Sequence, residues 1–396
     1  MIPEGWERTK LGSFVNIASG IAPSSLRLKQ VGKYPYVKVE DMNNCSKYQI
    51  DSRTFTDDEL KVIRKGAVIF PKRGAAIMNN KVRIAAKDIY LDSNMMSLYP
   101  KDGLITEYLY YCLIREELHR IADTSTIPQI NNKHITPYIF LLPPLPEQKK
   151  IAEILSTWDK AITTTEKLLK NSQQQKKALM QQLLTGKKRL LDDNGVRFSG
   201  EWRKYKVSNM GETSSGGTPA TSKIEFWDGE ISWLTPTDVT ALETKYVYET
   251  KRKITELGVK FSSAKLLPKG SLLICTRATI GAMAISKNEI TTNQGFKNLI
   301  PNEMFIVEFL YYLFTFKVNE FKRKASGSTF LELSMKDFDK TEFFCPEIRE
   351  QVAIGKALSA TDKELEFLNN KIKHLKQEKK ALMQQLLTGK RRVKID

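Results

Sequence analysis

Two stretches of this sequence are one-sided in charge in a way that suits contact with a polyanion. Residues 61–87 hold eight basic residues and no acidic one, and residues 257–288 hold five and none. Such density, mixed with Asn79, Asn80 and glycines, matches phosphate-contacting and base-reading surface on DNA-binding proteins, although a strand pair with a solvated face has the same composition. Arg73 and Arg277 are the candidate base readers, because one guanidinium bonds both major-groove acceptors of guanine. Lys72, Lys81 and Arg83 are the candidate phosphate contacts. Polar loops form a second group: Gln129, Asn131 and Lys133 in one part of the chain, and Ser215, Gly216, Thr218, Asn293 and Gln294 in another. Their amides and hydroxyls suit base edges, and the same residue types build turns. Lys297, Ser328 and Thr329 complete the candidate set.

Catalytic constellations are not found. The chain has no Gly-x-x-x-x-Gly-Lys-Ser/Thr loop, no Gly-x-Gly-x-x-Gly and no Asn/Asp-Pro-Pro-Tyr/Phe stretch of the kind that grips a flipped adenine. Cys45, Cys112, Cys275 and Cys345 lack Cys-x-x-Cys spacing, and the only histidines are His119, His134 and His374. Neither a metal site nor a disulfide framework is expected, and the thiols read as small core hydrophobes of a reducing cytosol. The expectation is a non-catalytic chain that carries no cofactor or metal of its own. The overall charge points the same way, since 63 basic against 45 acidic residues leave +18 over 396 residues, of which 41% are hydrophobic. That excess calls for a nucleic-acid partner. A membrane is not expected, because residues 1–12 have no signal-peptide core and no apolar run reaches spanning length.

The elements that must carry these residues come in duplicate. The string KKALMQQLLTGK occurs at 176–187 and again at 379–390, 203 residues apart. The same offset aligns Pro143 with Pro346, Glu147-Gln148 with Glu350-Gln351, Ile151 with Ile354, and Asp159-Lys160 with Asp362-Lys363. Weaker echoes pair Trp6 with Trp202, Gly20 with Gly216, Arg73 with Arg277, Tyr110-Tyr111 with Tyr311-Tyr312, and Ser125-Thr126 with Ser328-Thr329. A period of that length means two domain-sized copies.

Each copy has two parts. Residues 147–185 and 350–388 lack glycine and proline except Gly355, with proline before and glycine after, the punctuation of a helix. Ile354, Leu358, Thr361, Leu365, Leu368, Ile372, Leu375, Lys379, Leu382 and Leu386 follow a 4-3-4-3 spacing that predicts a coiled-coil seam. The first copy keeps the phase through Ile151, Leu155, Trp158, Ile162, Thr165, Leu169, Leu179 and Leu183. Each helix would run about 58 Å. The short link that follows the first predicts that the second runs back antiparallel, with a globular domain at either end of a rod. The N-terminal parts mix strand-like runs such as Val68-Ile69-Phe70 and Leu272-Leu273-Ile274 with helical stretches, giving an α+β class. The basic clusters Lys187-Lys188-Arg189 and Lys390-Arg391-Arg392 read as cations offsetting helix dipoles.

The tandem plan, the PPLPEQKKIAEIL stretch, its degenerate partner CPEIREQVAIGKAL and the paired ALMQQLLTGK endings resemble the DNA-specificity subunit of type I restriction-modification enzymes. The positions that carry the match are Pro144, Pro146, Glu147, Gln148 and Ile151, with Pro346, Glu350, Gln351 and Ile354; the second copy lacks the double proline. The resemblance implies two target recognition domains, 1–142 and 191–345, separated by a central helix, 143–190, and a distal helix with a basic tail, 346–396. It also implies double-stranded DNA as ligand, and two methyltransferase and two restriction subunits as partners. S-adenosylmethionine, ATP and magnesium would sit on those partners, in a prokaryotic cytoplasm. Two unlike recognition domains would read an asymmetric bipartite site across an unread spacer, with the helices as ruler. The identical helix ends, Leu179, Leu183, Leu184, Leu382, Leu386 and Leu387, are the expected holding places for two copies of one partner. The alternative is a coiled-coil adaptor or nonspecific nucleic-acid-binding protein.

Overall fold

A computed structural model describes residues 2–277, 279–326 and 331–395. The chain forms two compact units, Met1–Thr165 with Lys371–Asp396, and Glu166–Asn370.

The sheet of the first unit has the order Val15–Ser19, Met95–Pro100, Val68–Pro71, Arg83–Ala85, Tyr48–Gln49. Neighbours are antiparallel except for the last pair. The central run is apolar without a break because both of its faces are covered. Val68 and Phe70 point into a core shared with the helix Thr106–Glu116, while Ala67 and Ile69 point into a smaller core with Val37, Ile89 and Leu91. That smaller core lies against a three-stranded sheet centred on Tyr34–Val37. Alternation of side chains across a strand thus serves two cores with one run. The second unit repeats the plan: Leu272 and Ile274 face one core, Leu273 and Cys275 the other. Its sheet order is Gly211–Ser215, Phe296–Pro301, Leu272–Cys275, Met283–Ser286, Tyr246–Val247.

The long helices span Leu145–Leu183 and Ile348–Leu386, 39 residues each. They begin and end about two residues before the expected limits. Pro146 fits inside the first turn, where its missing N–H has no helical partner to lose. Each helix starts in one unit and ends in the other. Within the first unit, Glu147 meets Arg392 and Asp159 meets Lys379, so the beginning of the first helix runs antiparallel to the end of the second. In the second unit, Arg189 meets Glu350 and Lys176 meets Asp362 in the same sense.

These contacts explain the duplicated string. Leu183 and Leu184 enter the main core of the second unit, and Met383, Leu386 and Leu387 enter that of the first. Gly186 and Gly389 then adopt φ of +69° and +70°, which ends the helix. A β-carbon on Gly389 would also collide with Pro3. The turn delivers Arg189 and Arg392 to carboxylates at the start of the opposite helix. Arg189 Nε and Nη2 donate to Glu350 at 2.5 and 2.6 Å, and Arg392 donates to both oxygens of Glu147. The adjacent glutamines bind inward: Gln148 accepts from Ile105 N at 2.9 Å and donates to Gly103 and Pro143 carbonyls, and Gln351 does the same with Ile306, Met304 and Pro346. Ile105 and Ile306 cap the helices Thr106–Glu116 and Val307–Phe316, so Pro-x-x-Glu-Gln ties each long helix to its globular part.

A second polar cluster sits three turns further on. Tyr111 donates to Asp159 at 2.6 Å, Lys379 reaches the same carboxylate at 2.5 Å, and the buried Lys47 donates to Tyr111 at 2.9 Å. In the other unit Tyr312, Lys176 and Lys245 surround Asp362. Burial pushes the Asp362 carboxyl up, but the hydrogen bonds from Lys176, Tyr312 and Lys245 outweigh it and hold the group below the usual carboxylate range. A carboxylate with a depressed folded pKa adds stability above its unfolded value, and that stability is lost as pH falls through the folded one. The second unit should therefore weaken below about pH 4, and Asp362→Asn should flatten that part of a pH series of thermal melts.

The two arginine locks are unequal. Glu147 also receives Trp6 Nε1 at 3.1 Å, whereas the equivalent Trp202 Nε1 is buried with no hydrogen-bond partner and Glu350 depends on Arg189. Arg189→Met leaves a fully enclosed carboxylate unpaired and should cost about 3–5 kcal/mol. Arg392→Met should cost less. Hydrogen exchange resolved by unit checks this: amides of the second unit should lose more protection in the first variant than amides of the first unit lose in the other.

Candidate nucleic-acid interface

In each unit the strand end that carries the candidate arginine is joined by a backbone-paired couple of residues from the other end of the domain. Asp123 and Gln129 exchange backbone hydrogen bonds at 2.9 Å both ways, and Ser326 and Glu332 do so at 3.1 and 3.0 Å. Gln129 bridges Arg73, and Glu332 bridges Arg277. Ile130 N donates to Lys72 O at 2.8 Å, and Leu333 N to Thr276 O at 3.0 Å. Next to this corner runs the loop before Met95–Pro100 in one unit and Phe296–Pro301 in the other: Lys72 N donates to Asn94 O, and Thr276 N to Gly295 O, both at 2.8 Å. The two corners are therefore the same construction with different side chains.

The first unit brings Lys72, Arg73, Gln129, Asn131 and Lys133 together. Arg73 and Lys133 are exposed, and Gln129 is half-buried. Burial draws the Lys72 ammonium below its ordinary pKa, with Asp92 opposing. Asn131 precedes a short turn of helix, Asn132–Ile135, where its N–H donates to His134 Nδ1 at 3.1 Å. Asn79 is exposed and Lys81 half-buried on the loop that follows Arg73.

Asn80 and Arg83 are corrections to the candidate set. Asn80 adopts φ +47°, donates to Ile114 O at 2.8 Å and accepts from Leu118 N at 3.0 Å, which stitches two helices together. Arg83 spends Nε, Nη1 and Nη2 on the carbonyls of Cys45, Val82 and Met42 at 2.8–2.9 Å. Each nitrogen of the Arg83 guanidinium and the Asn80 amide nitrogen thus already has a partner inside the chain.

In the second unit Thr218 donates to Gln294, Asn293 Oδ1 accepts from Gly295 N at 2.9 Å, and Gly295 leads through Thr276 to Arg277. Gly216 has a steric role, because any β-carbon there would run into the Asn293 carbonyl; Gly20 stands against Asp92 in the same way. Ser215 sits at a strand end with Oγ 3.8 Å from Met335 Sδ. Lys297 is also corrected: its side chain is 7% exposed and its ammonium lies 3.9 Å from Glu332, beneath the surface. Burial lowers its pKa and Glu332 opposes the shift. Ser328 and Thr329 lie outside the described residues. The six leucines of the helix ends need correction too. Leu183, Leu184, Leu386 and Leu387 are at most 2% exposed, and Leu179 and Leu382 pack beside them, so these side chains fill the chain's own cores. Exposed residues of the same stretches include Lys177, Gln181 and Gln182, and Lys380, Gln384 and Gln385.

Glu332 escaped the sequence reading, although it stands 203 residues from Gln129, the offset of the repeated string. Arg189 and Arg392, expected to offset helix dipoles, instead pair with carboxylates in the other copy's Pro-x-x-Glu-Gln.

The sequence model of the "Type I restriction modification DNA specificity domain" matches residues 3–172 and 199–377. The chain belongs to that family. Its function is accordingly recognition of DNA sequence as the specificity subunit of a type I restriction-modification system, and the adaptor alternative is not favoured. Over 175 residues this specificity chain is 41% identical to the type I restriction enzyme MjaIX specificity subunit of Methanocaldococcus jannaschii, covering 44% of this chain and 40% of that relative. Over 420 residues it is 25% identical to the putative MjaX specificity subunit of the same organism, covering 99% and 95%. A solved S subunit from M. genitalium has the same fold, with a TM-score of 0.59 at 16% identity over 96% of both chains. A chain from a study of type I complex assembly and conformational transition gives 0.63 at 17% over 98% of both. Among the described residues no helix is long and apolar enough to cross a membrane and no group of His, Cys, Asp or Glu could hold a metal.

Arg73→Ala in the specificity chain should weaken specific duplex binding by about 1–3 kcal/mol while leaving the melting temperature unchanged. Arg83→Ala should do the reverse. Paired binding and melting measurements on both variants check the distinction.

Proposed function

We propose that this chain reads an asymmetric bipartite target on double-stranded DNA, with residues 1–142 reading one half-site and residues 191–345 the other. The observation that carries this reading is the duplicated arginine corner, one construction with unlike neighbours in the two units. A single fold used twice with different side chains suits two different short sequences. The helical segments 143–190 and 346–396 separate the two readers and set an unread spacer. The candidate readers are Lys72, Arg73, Asn79, Lys81, Gln129, Asn131 and Lys133 in one half, with Ser215, Thr218, Arg277, Asn293 and Gln294 in the other.

The chain itself is proposed to be non-catalytic. Two methyltransferase subunits, which modify adenine with S-adenosylmethionine, and two restriction subunits, which use ATP and magnesium, would supply the chemistry in a prokaryotic cytoplasm. Proteins named specificity subunits among the relatives support this assignment. The test is a map of methylated adenines in cells with and without the chain plus its methyltransferase partner. A bipartite motif should appear only with the chain, and replacing residues 1–142 should change one half-site. A replacement that altered both half-sites would contradict the modular reading.

A further inference from the structure

Among the differences between the two arginine corners, two concern side chains that form an ion pair in the second unit. The residue bridged to the arginine is Gln129 in the first unit and Glu332 in the second. In the sheet beneath, Phe70 pairs with Met96 in the first unit, and the equivalent Ile274 pairs with Lys297 in the second. Where the first copy has an amide and a buried thioether, the second has a carboxylate and an ammonium 3.9 Å apart. The formal charge of the trio stays at +1 in each: Arg73, Gln129 and Met96 against Arg277, Glu332 and Lys297.

Stability does not account for the exchange. Lys297 is 7% exposed, and methionine at that place carries no desolvation cost, whereas a buried ammonium does. Burial does pull the Lys297 pKa down, as that cost requires. A bare carboxylate on a polyanion-binding surface would repel phosphate and absorb the charge of Arg277. Glu332 lies 3.9 Å from Arg277 Nε and 3.9 Å from Lys297 Nζ, with its own side chain 40% exposed. Lys297 therefore offsets the carboxylate from below while Glu332 keeps an open face above.

What the exchange alters is hydrogen-bonding character. A glutamine amide both donates and accepts, which matches the amine and N7 of adenine in the major groove. An ionised glutamate only accepts, which matches the lone amine of cytosine. Resting on the DNA-reading role proposed above, we propose that Glu332 is a specificity-determining residue that accepts from a cytosine amine next to the base contacted by Arg277, while Gln129 occupies the equivalent place opposite adenine. The two half-sites differ at this position because the two copies differ here.

The test uses the full complex with its methyltransferase partner and maps methylated motifs for wild type, Glu332→Asp, Glu332→Gln and the pair Glu332→Gln with Lys297→Met. The double variant rebuilds the arrangement of the first unit and removes the uncompensated ammonium, which guards against misfolding of the single one. Glu332→Asp should keep cytosine. Glu332→Gln and the double variant should shift one position of one half-site from cytosine toward adenine, by about tenfold or more in relative preference, and leave the other half-site untouched. An unchanged motif in a double variant that still methylates would overturn the assignment, as would a change in the half-site that responds to replacement of residues 1–142. A wild-type complex with no motif would remove the DNA-reading role itself and the assignment with it.

Discussion

A fully enclosed carboxylate has to be neutralised, and Glu350 is neutralised by an arginine that the chain delivers from the far end of the preceding copy's helix. Much of the architecture follows from that requirement. The helix must end within reach of Glu350, so Gly186 turns it; the turn must be anchored, so Leu183 and Leu184 enter the core beside it. Glu147, Arg392, Gly389, Leu386 and Leu387 repeat the arrangement in the first unit. Neither globular part closes its main core with residues of its own copy alone. The buried positions of the duplicated string are then under a packing constraint, since two equivalent sockets accept only equivalent plugs.

The two arginine corners, proposed above to read DNA, carry no such constraint. Backbone hydrogen bonds place Arg73 and Arg277 in equivalent positions beside equivalent backbone pairs, and these bonds demand no particular side chain. Gly20 and Gly216 are held by close backbone approach, which is why they echo each other when most loop residues do not. Asn80 and Arg83 show the opposite tendency: polar residues inside a basic stretch that were drawn into the domain's own bonding.

Duplication, the α+β class and both long helices were legible in the sequence because each rests on local pattern: an offset of 203, alternation in the strands, a 4-3-4-3 stripe. Long-range polar pairing was not. Nothing near Arg189 indicates Glu350, 161 residues away, and the leucines beside it look alike whether they face a partner or a core. Tyr111, Asp159, Tyr312 and Asp362 were seen as echoes, but their joint role needed Lys47 and Lys245, which lie where the two copies no longer align by eye. Of the candidate readers, Arg73, Asn79, Lys133 and Arg277 are exposed, whereas Arg83 and Lys297 are drawn into the chain, a division set by depth that composition does not encode.

Arg189 and Lys176 occupy in the first copy the places of Arg392 and Lys379 in the second, so residues 1–190 contain both a socket and the plug that fits it. If the cross-copy lock governs assembly, that half of the chain should close on a second copy of itself, Glu147 taking Arg189 and Asp159 taking Lys176. Sedimentation of residues 1–190 measures this directly. The account predicts a dimer that Arg189→Met weakens; a folded, stable monomer would contradict it.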